Sequence, residues 1–176
     1  MRTVVGVLRG GPSPEYDASL KSGASVLSAL NKERYDARDL FIDKVGQWHL
    51  HGIPAAPERA LRGVDAVFHF AATVGVGQSM YEIERYTDVN NRGTAVLLEA
   101  LSAAPPQRLI VASSMSVYGE GRCQGPEGRI VDPAERAPER LRAGDFELRD
   151  EEGAALAPLP TPEDKQPAPS SVYALS

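Results

Sequence analysis

Cysteine is almost missing from this chain: Cys123 stands alone among 176 residues. A single thiol excludes an internal disulfide and any cysteine-rich zinc site. Long apolar runs are missing too. No stretch approaches the roughly 18 consecutive apolar residues of a membrane-spanning helix. The opening MRTVVGVLRGG has neither a long apolar segment nor a small-residue cleavage pattern, so no signal peptide is expected. Positive charge is not in excess. The 19 Lys and Arg are outnumbered by 24 Asp and Glu, giving a formal charge of −5, which excludes the basic footprint of a nucleic-acid binder. Internal repeats are absent. What remains is 42% hydrophobic and 24% charged residues, enough for one ordinary domain with a core. A cytoplasmic α/β protein is the expectation.

The order of segments supports that class. TVVGVLR (Thr3 to Arg9) is a β-branched run ended by Gly10-Gly11, which predicts a buried strand entering a tight turn. After Asp17, the spacing of Leu20, Ala24, Leu27 and Leu30 predicts a helix with these residues on its packed face. YDARDLFI reads as a second strand, DKVGQWHLHG as a small hairpin or irregular connection, and PERAL as one helical turn begun by Pro57. DAVFHFAA and RLIVASS read as further strands. Between them, MYEIERYTDVNNRGTAVLLEALSAA has the periodicity of one long helix or a broken pair. Strands alternating with helices predict a Rossmann-like, doubly wound parallel sheet, here incomplete. Eight of the fourteen prolines lie beyond Gly121, so residues 121–170 are expected to form a long, proline-rich irregular insert. Within it PAERAPERLRAG has the composition of a short helix limited by Pro138.

The turn GGPSPEYDASLKSGASVL bears on chemistry. A glycine pair after a first strand lets the chain turn sharply and aims a helix N-terminus at the turn, which suits an anion. Glu15 suits an ammonium group instead, and Ser13, Glu15 and Asp17 also suit plain helix capping. Together with DLFIDKVGQWHLHGIPAAPERAL, this stretch resembles the N-terminal domain of D-alanine–D-alanine ligases over about residues 1–68. That resemblance implies a role for Glu15 in a pocket for D-alanine. The ligases' nucleotide-holding domains have no counterpart in this sequence.

From about residue 60 onward the resemblance changes. DAVFHFAATVGVGQSMYEIERYTDVNNRGTAVLLEAL, RLIVASSMSVYGEG and SSVYALS resemble an extended short-chain dehydrogenase/reductase of the NAD-dependent nucleotide-sugar epimerase and dehydratase branch. The resemblance implies NAD as cofactor, with Ala71, Ala72, Asn90 and Ser113 on the cofactor side. It implies Ser114 and Tyr173 as catalytic residues, a nucleotide sugar as substrate and a homodimer as assembly. Dehydratases of this branch carry an acidic pair directly after the hydroxyl residue; Met115-Ser116 stands there instead, favouring the epimerase or reductase. Some members hold a zinc in an insert between the serine and tyrosine motifs, but Cys123 alone does not suit one. Singly, a serine at a strand end commonly satisfies backbone groups and a tyrosine near a helix start commonly packs.

Epimerisation by hydride transfer needs a base on the sugar hydroxyl. A free tyrosine has a pKa of about 10, and bringing it near 7 requires about 4 kcal/mol of stabilisation. The family draws this from a lysine one helical turn after the tyrosine and from the nicotinamide charge. The sequence ends at Ser176, before that lysine position. The first turn, GVLRGGPSPE, matches neither common spacing of the dinucleotide glycine fingerprint, and Asp43 is a weak candidate for the ribose-binding acid. The expectation is a hybrid piece: residues 1–62 ligase-like, residues 63–176 a truncated epimerase-like segment with little or no turnover as given. The rivals are a ligase substrate-binding portion and a non-catalytic module.

Overall fold

The computed structural model describes residues 1–176, which divide into two compact units. The first comprises residues 1–113 with 171–174 and 176, and the second comprises residues 114–170 with 175.

In the first unit the β-branched run forms β1 (Thr3–Gly10), and α1 (Tyr16–Ala29) follows the glycine turn. β2 (Tyr35–Ile42) runs parallel to β1, with Thr3 opposite Tyr35 and Gly10 opposite Ile42. The next stretch is a hairpin: β3 (Trp48–Leu50) pairs antiparallel with β2, and β4 (Ile53–Pro54) pairs antiparallel with β3. In α2 (Pro57–Leu61), Pro57 opens the helix where no intrahelical donor is needed. β5 (Ala66–His69) joins the other side of β1 in parallel. Two short helices follow, α3 (Val76–Ser79) and α4 (Ile83–Tyr86). A π-helical turn (Thr87–Arg92) then carries the chain straight into α5 (Gly93–Ser102). The long-helix expectation is thus met by α4 to α5, with one wide turn at its middle. β6 (Arg108–Val111) pairs parallel with β5.

The sheet order is β4-β3-β2-β1-β5-β6, four parallel strands with an antiparallel hairpin on one edge. Side chains alternate across it. Leu8, Leu40 and Val67 join Ala60, Leu61, Leu97 and Leu101 of α2 and α5 in one buried cluster. The opposite face carries Arg9 against α1. There the structure departs from the apolar periodicity. Ser19 and Gly23 are the buried residues of α1, while Ala24 is exposed and Leu20, Leu27 and Leu30 are half-buried. The reason is Arg9, which makes paired bonds to Asp39, Nε to Oδ1 and Nη2 to Oδ2, both 2.7 Å. A Cβ at position 23 would stand 2.8 Å from the Arg9 Cβ, so only glycine lets the helix approach.

The second unit begins with a 3₁₀ turn (Met115–Tyr118) and contains β7 (Arg122–Gln124), β8 (Ile130–Val131), α6 (Pro138–Arg142) and β9 (Ala157–Leu159). The stretch expected to be irregular therefore holds a three-stranded antiparallel sheet, in the order β8-β7-β9. Pro158 fits because β9 is an edge strand. Pro138 starts α6 rather than limiting it. Cys123 and Leu156 are the buried apolar residues of this unit, and ion pairs such as Arg136 with Glu120 and Arg140 with Asp145 link its loops. Burial pushes the Cys123 thiol up, so it stays protonated and unreactive at neutral pH. The final helix is α7 (Val172–Leu175), with Ser171 as its cap. No helix is long and apolar enough to cross a membrane.

Candidate functional site

All four parallel strands end on the same edge of the sheet. From β1 the chain moves outward to β2 on one side, and after β4 it returns through α2 to β5 on the other, so the topological switch point lies between β1 and β5. A cleft of about 310 Å³ opens there. Its walls are mixed in polarity, with Leu8, Ile42, Val45, Trp48, Ala71 and Val96 supplying the apolar part of the lining. Gly11 and Pro12 are also on the lining, and Asp88 and Arg92, paired at 2.8 Å, are contributed by the π turn. Residues of this cleft come from four separate stretches of sequence, which is why no single motif announces it.

The β1–α1 turn is held from inside. Gly10 and Gly11 have φ of +87° and +106°, the left-handed region where glycine is favoured. The Gly10 N–H donates to Ser19 Oγ at 2.9 Å, and the Gly11 N–H to the Ile42 carbonyl at 2.8 Å. The Ser13 N–H donates to the Gly11 carbonyl at 2.8 Å, and the Glu15 N–H to Ser13 Oγ at 3.0 Å. Tyr16 N–H reaches the Ser13 carbonyl at 3.2 Å, while Pro12 and Pro14 have no N–H to offer. Ser13 Oγ in turn donates to the Ala72 carbonyl at 3.2 Å. Helix α1 has no side-chain cap at its N-cap position, Glu15, and Ser13 instead closes the turn just before it. The Glu15 carboxylate makes no ion pair and caps nothing.

Asp43 is occupied elsewhere. Its Oδ1 accepts from the N–H groups of Val45 and Gln47, at 3.0 and 2.9 Å, and its Oδ2 is 3.1 Å from His49 Nε2. The His49 bond first, then these two amides, hold the Asp43 carboxyl below the usual range. Asp43 thus builds the β2–β3 turn and does not line the cleft.

Of the residues expected on the cofactor side, Ala71 is buried on the cleft lining. Ala72 contributes its carbonyl to Ser13. Asn90 sits in the π turn, and its side-chain amide grips the backbone of Thr73: Oδ1 accepts from the Thr73 N–H at 2.8 Å and Nδ2 donates to its carbonyl at 3.0 Å. Ser113 is exposed just beyond β6.

Tyr173 lies in α7, which docks at three points on the segment after β5. Its N–H donates to Ser79 Oγ at 3.0 Å, its ring meets Tyr86 edge-on at 6.3 Å, and Asn90 Nδ2 donates to Ser176 Oγ at 3.0 Å. Tyr86 is itself fixed, its hydroxyl donating to the Val74 carbonyl at 2.8 Å. Ser114 belongs to the second unit and caps the 3₁₀ turn, its Oγ accepting from the Ser116 N–H at 3.2 Å and donating to Ser116 Oγ at 3.1 Å. The structure therefore ties Asn90 to the end of α7 through Ser176, leaves Ala71 on a cleft lining that neither Asn90 nor Tyr173 shares, and gives Ser114 a local capping duty.

Three residues went unnoticed in the sequence. Ser79 and Tyr86 dock α7, and their only signal is their place in the stretch between two motifs. His69, inside the quoted HFAA, is buried at the cleft. Its Nε2 is 3.2 Å from Thr94 Oγ1, its Nδ1 has no partner, and burial pushes its pKa down, so the ring is neutral.

Comparison with known proteins bears on both resemblances. The profile of the NAD dependent epimerase/dehydratase family matches residues 50–139. The dTDP-L-rhamnose 4-epimerase of Burkholderia thailandensis is 34% identical over 112 residues, covering 62% of this chain and 30% of that protein. A D-alanine–D-alanine ligase of Prochlorococcus marinus is 48% identical over 52 residues, covering 27% of this chain and 15% of the ligase. Among solved structures, the UDP-N-acetylglucosamine 4-epimerase of Methanobrevibacter ruminantium, in complex with UDP-N-acetylmuramic acid, superposes with a TM-score of 0.58. That match has 21% identity and covers 99% of this chain and 47% of the epimerase. The chain thus spans less than half the length of the epimerases it matches, and it has ligase-like sequence as well as epimerase-like sequence.

Proposed function

Because this chain belongs to the NAD dependent epimerase/dehydratase family, we propose that it carries the nucleotide-binding part of a nucleotide-sugar epimerase, an enzyme that inverts a sugar carbon by hydride transfer. The observation that carries the reading is the cleft at the switch point, with Ala71 on its lining. NAD is the family's cofactor and supplies the site to which a hydride goes and from which it returns. In this reading the Tyr173 phenol takes the proton from the sugar hydroxyl, and Ser114 keeps the catalytic role that the family resemblance gives it. Asn90, through Thr73 and Ser176, keeps the segment under α7 in place. The cytoplasmic location and the homodimer expected from the family belong to the same proposal. The test is a titration with NAD followed by amide chemical shifts. Shifts at Ala71, Val89 and Gly93 support the reading, and an unchanged cleft rejects it.

A second reading rests on the ligase-like match and on the unpaired Glu15 carboxylate. In it, the turn between β1 and α1 recognises the ammonium group of D-alanine. A D-alanine-dependent shift at Glu15 and Ser13 supports it, and its absence removes it.

A further inference from the structure

Dinucleotide sites at such a switch point hold the pyrophosphate on free backbone N–H groups of the first turn. This chain has the cleft and lacks the donors. Of residues 10–16, Gly10, Gly11, Ser13, Glu15 and Tyr16 already donate to acceptors of the protein itself, and Pro12 and Pro14 have no N–H. The next amides, at Asp17 and Ala18, belong to exposed residues that do not line the cleft, and a phosphate there would meet the Asp17 carboxylate.

Cationic side chains do not replace the missing donors. Arg9 is held by Asp39 through two 2.7 Å bonds, Arg92 is paired with Asp88, and the Lys44 ammonium lies over the Tyr16 ring at 4.9 Å. Glu15 adds an unpaired negative charge next to the turn. The cleft has a mixed lining of apolar side chains with His69, Asp88 and Arg92 and, at about 310 Å³, lies at the small end of ligand sites, matching a nucleoside better than a whole dinucleotide.

We propose that the chain binds adenine nucleotides through the nucleoside alone, with Pro12, Ser13, Pro14 and Ser19 as the residues that deny the diphosphate any backbone donor. This inference rests on the reading of the switch-point cleft as the nucleotide site, and it identifies how the ligase-like turn alters that site. Affinity for adenosine, AMP, ADP and NAD is then nearly equal and changes little with ionic strength. A turn with free amides would favour the diphosphates by about tenfold or more, since each charge-assisted bond is strong.

The experiment is calorimetric titration of the whole chain with adenosine, AMP, ADP and NAD, at low and high salt. Equal affinities across the series, insensitive to salt, support the proposal. ADP or NAD binding about tenfold more tightly than adenosine overturns it while leaving the nucleotide cleft standing. No binding by any of the four overturns both the proposal and the reading of the cleft. The variant Pro12→Gly, which returns an N–H to the cleft lining, adds a second readout. A rise in the preference for ADP over adenosine supports the proposal, and an unchanged ratio in a variant with the wild-type melting temperature overturns it.

Discussion

Asn90 and Thr73 are joined by two hydrogen bonds, the side-chain amide of one matching the N–H and the carbonyl of the other at 2.8 and 3.0 Å. Both partners are buried, so neither Thr73 group has water as an alternative. The π turn at Thr87–Arg92 is what makes this possible: one wide turn rotates Asn90 inward while α4 and α5 keep ordinary helical geometry.

Asn90→Ala is expected to lower stability by about 2–4 kcal/mol, because two buried backbone groups lose their only partner. Asn90→Asp is expected to recover part of that loss, since a carboxylate still accepts from the Thr73 N–H but faces its carbonyl with a second acceptor. Urea unfolding midpoints of the three proteins check the order. Equal midpoints for Asn90→Ala and the wild type would show that the clamp contributes nothing.

Gly23→Ala is expected to cost about 1–3 kcal/mol by overpacking, because the new methyl would press on the Arg9 side chain. Arg9 cannot swing aside while Asp39 holds it. In an Asp39→Ala background the guanidinium is released and the cost of Gly23→Ala is expected to shrink. A double-mutant cycle measures the difference, and strictly additive effects would refute the coupling.

The same pair explains what could be read in the sequence and what could not. β1, β5 and β6 were legible because apolar and β-branched runs between turn residues have few other solutions, and β2 because YDARDLFI alternates. The packed face of α1 was not legible, because Arg9, a strand residue held by Asp39 thirty positions away, decides it. The sheet in the second unit escaped notice because its strands have only two or three residues, too few to show a period. At the site, the glycine turn was visible in GGPSPE. That its amides are already bonded was not, since this depends on Ser19, Ile42 and a serine side chain folding back.

The pH dependence should carry the mark of His69. Burial lowers its pKa in the folded state from the ordinary 6.5. Above 6.5 the ring is neutral in both states and the linkage is silent. As the pH falls below 6.5 the unfolded chain binds the proton and the folded chain resists, so stability declines until the folded pKa is reached. Carboxylates whose pKa is lowered, among them Asp43 and Asp145, add their own loss at still lower pH, below the ordinary carboxylate range. His69→Gln is therefore expected to flatten the decline just below pH 6.5 and to leave the more acidic limb unchanged. Denaturant midpoints taken across that range test it; an unaltered slope in the variant would assign the decline to other groups.

Docking and chemistry at Tyr173 can be separated by two substitutions. Ser79 Oγ accepts the Tyr173 N–H at 3.0 Å and donates to the Val76 carbonyl at 2.7 Å, so it ties the start of α7 to the end of α3. Ser79→Ala removes the acceptor and leaves a helix of four residues, too short to hold itself in water. Amide exchange at Tyr173 is expected to speed up about tenfold, in line with a bond worth about 1 kcal/mol or a little more. Tyr173→Phe removes only the hydroxyl. It keeps the edge-on contact with Tyr86 and the backbone bond to Ser79, and its exchange is expected to match the wild type. If Tyr173→Phe speeds exchange as much as Ser79→Ala does, the phenol is a structural group. If it does not, the hydroxyl is free of any duty in holding α7, as the proposed role on a sugar hydroxyl requires.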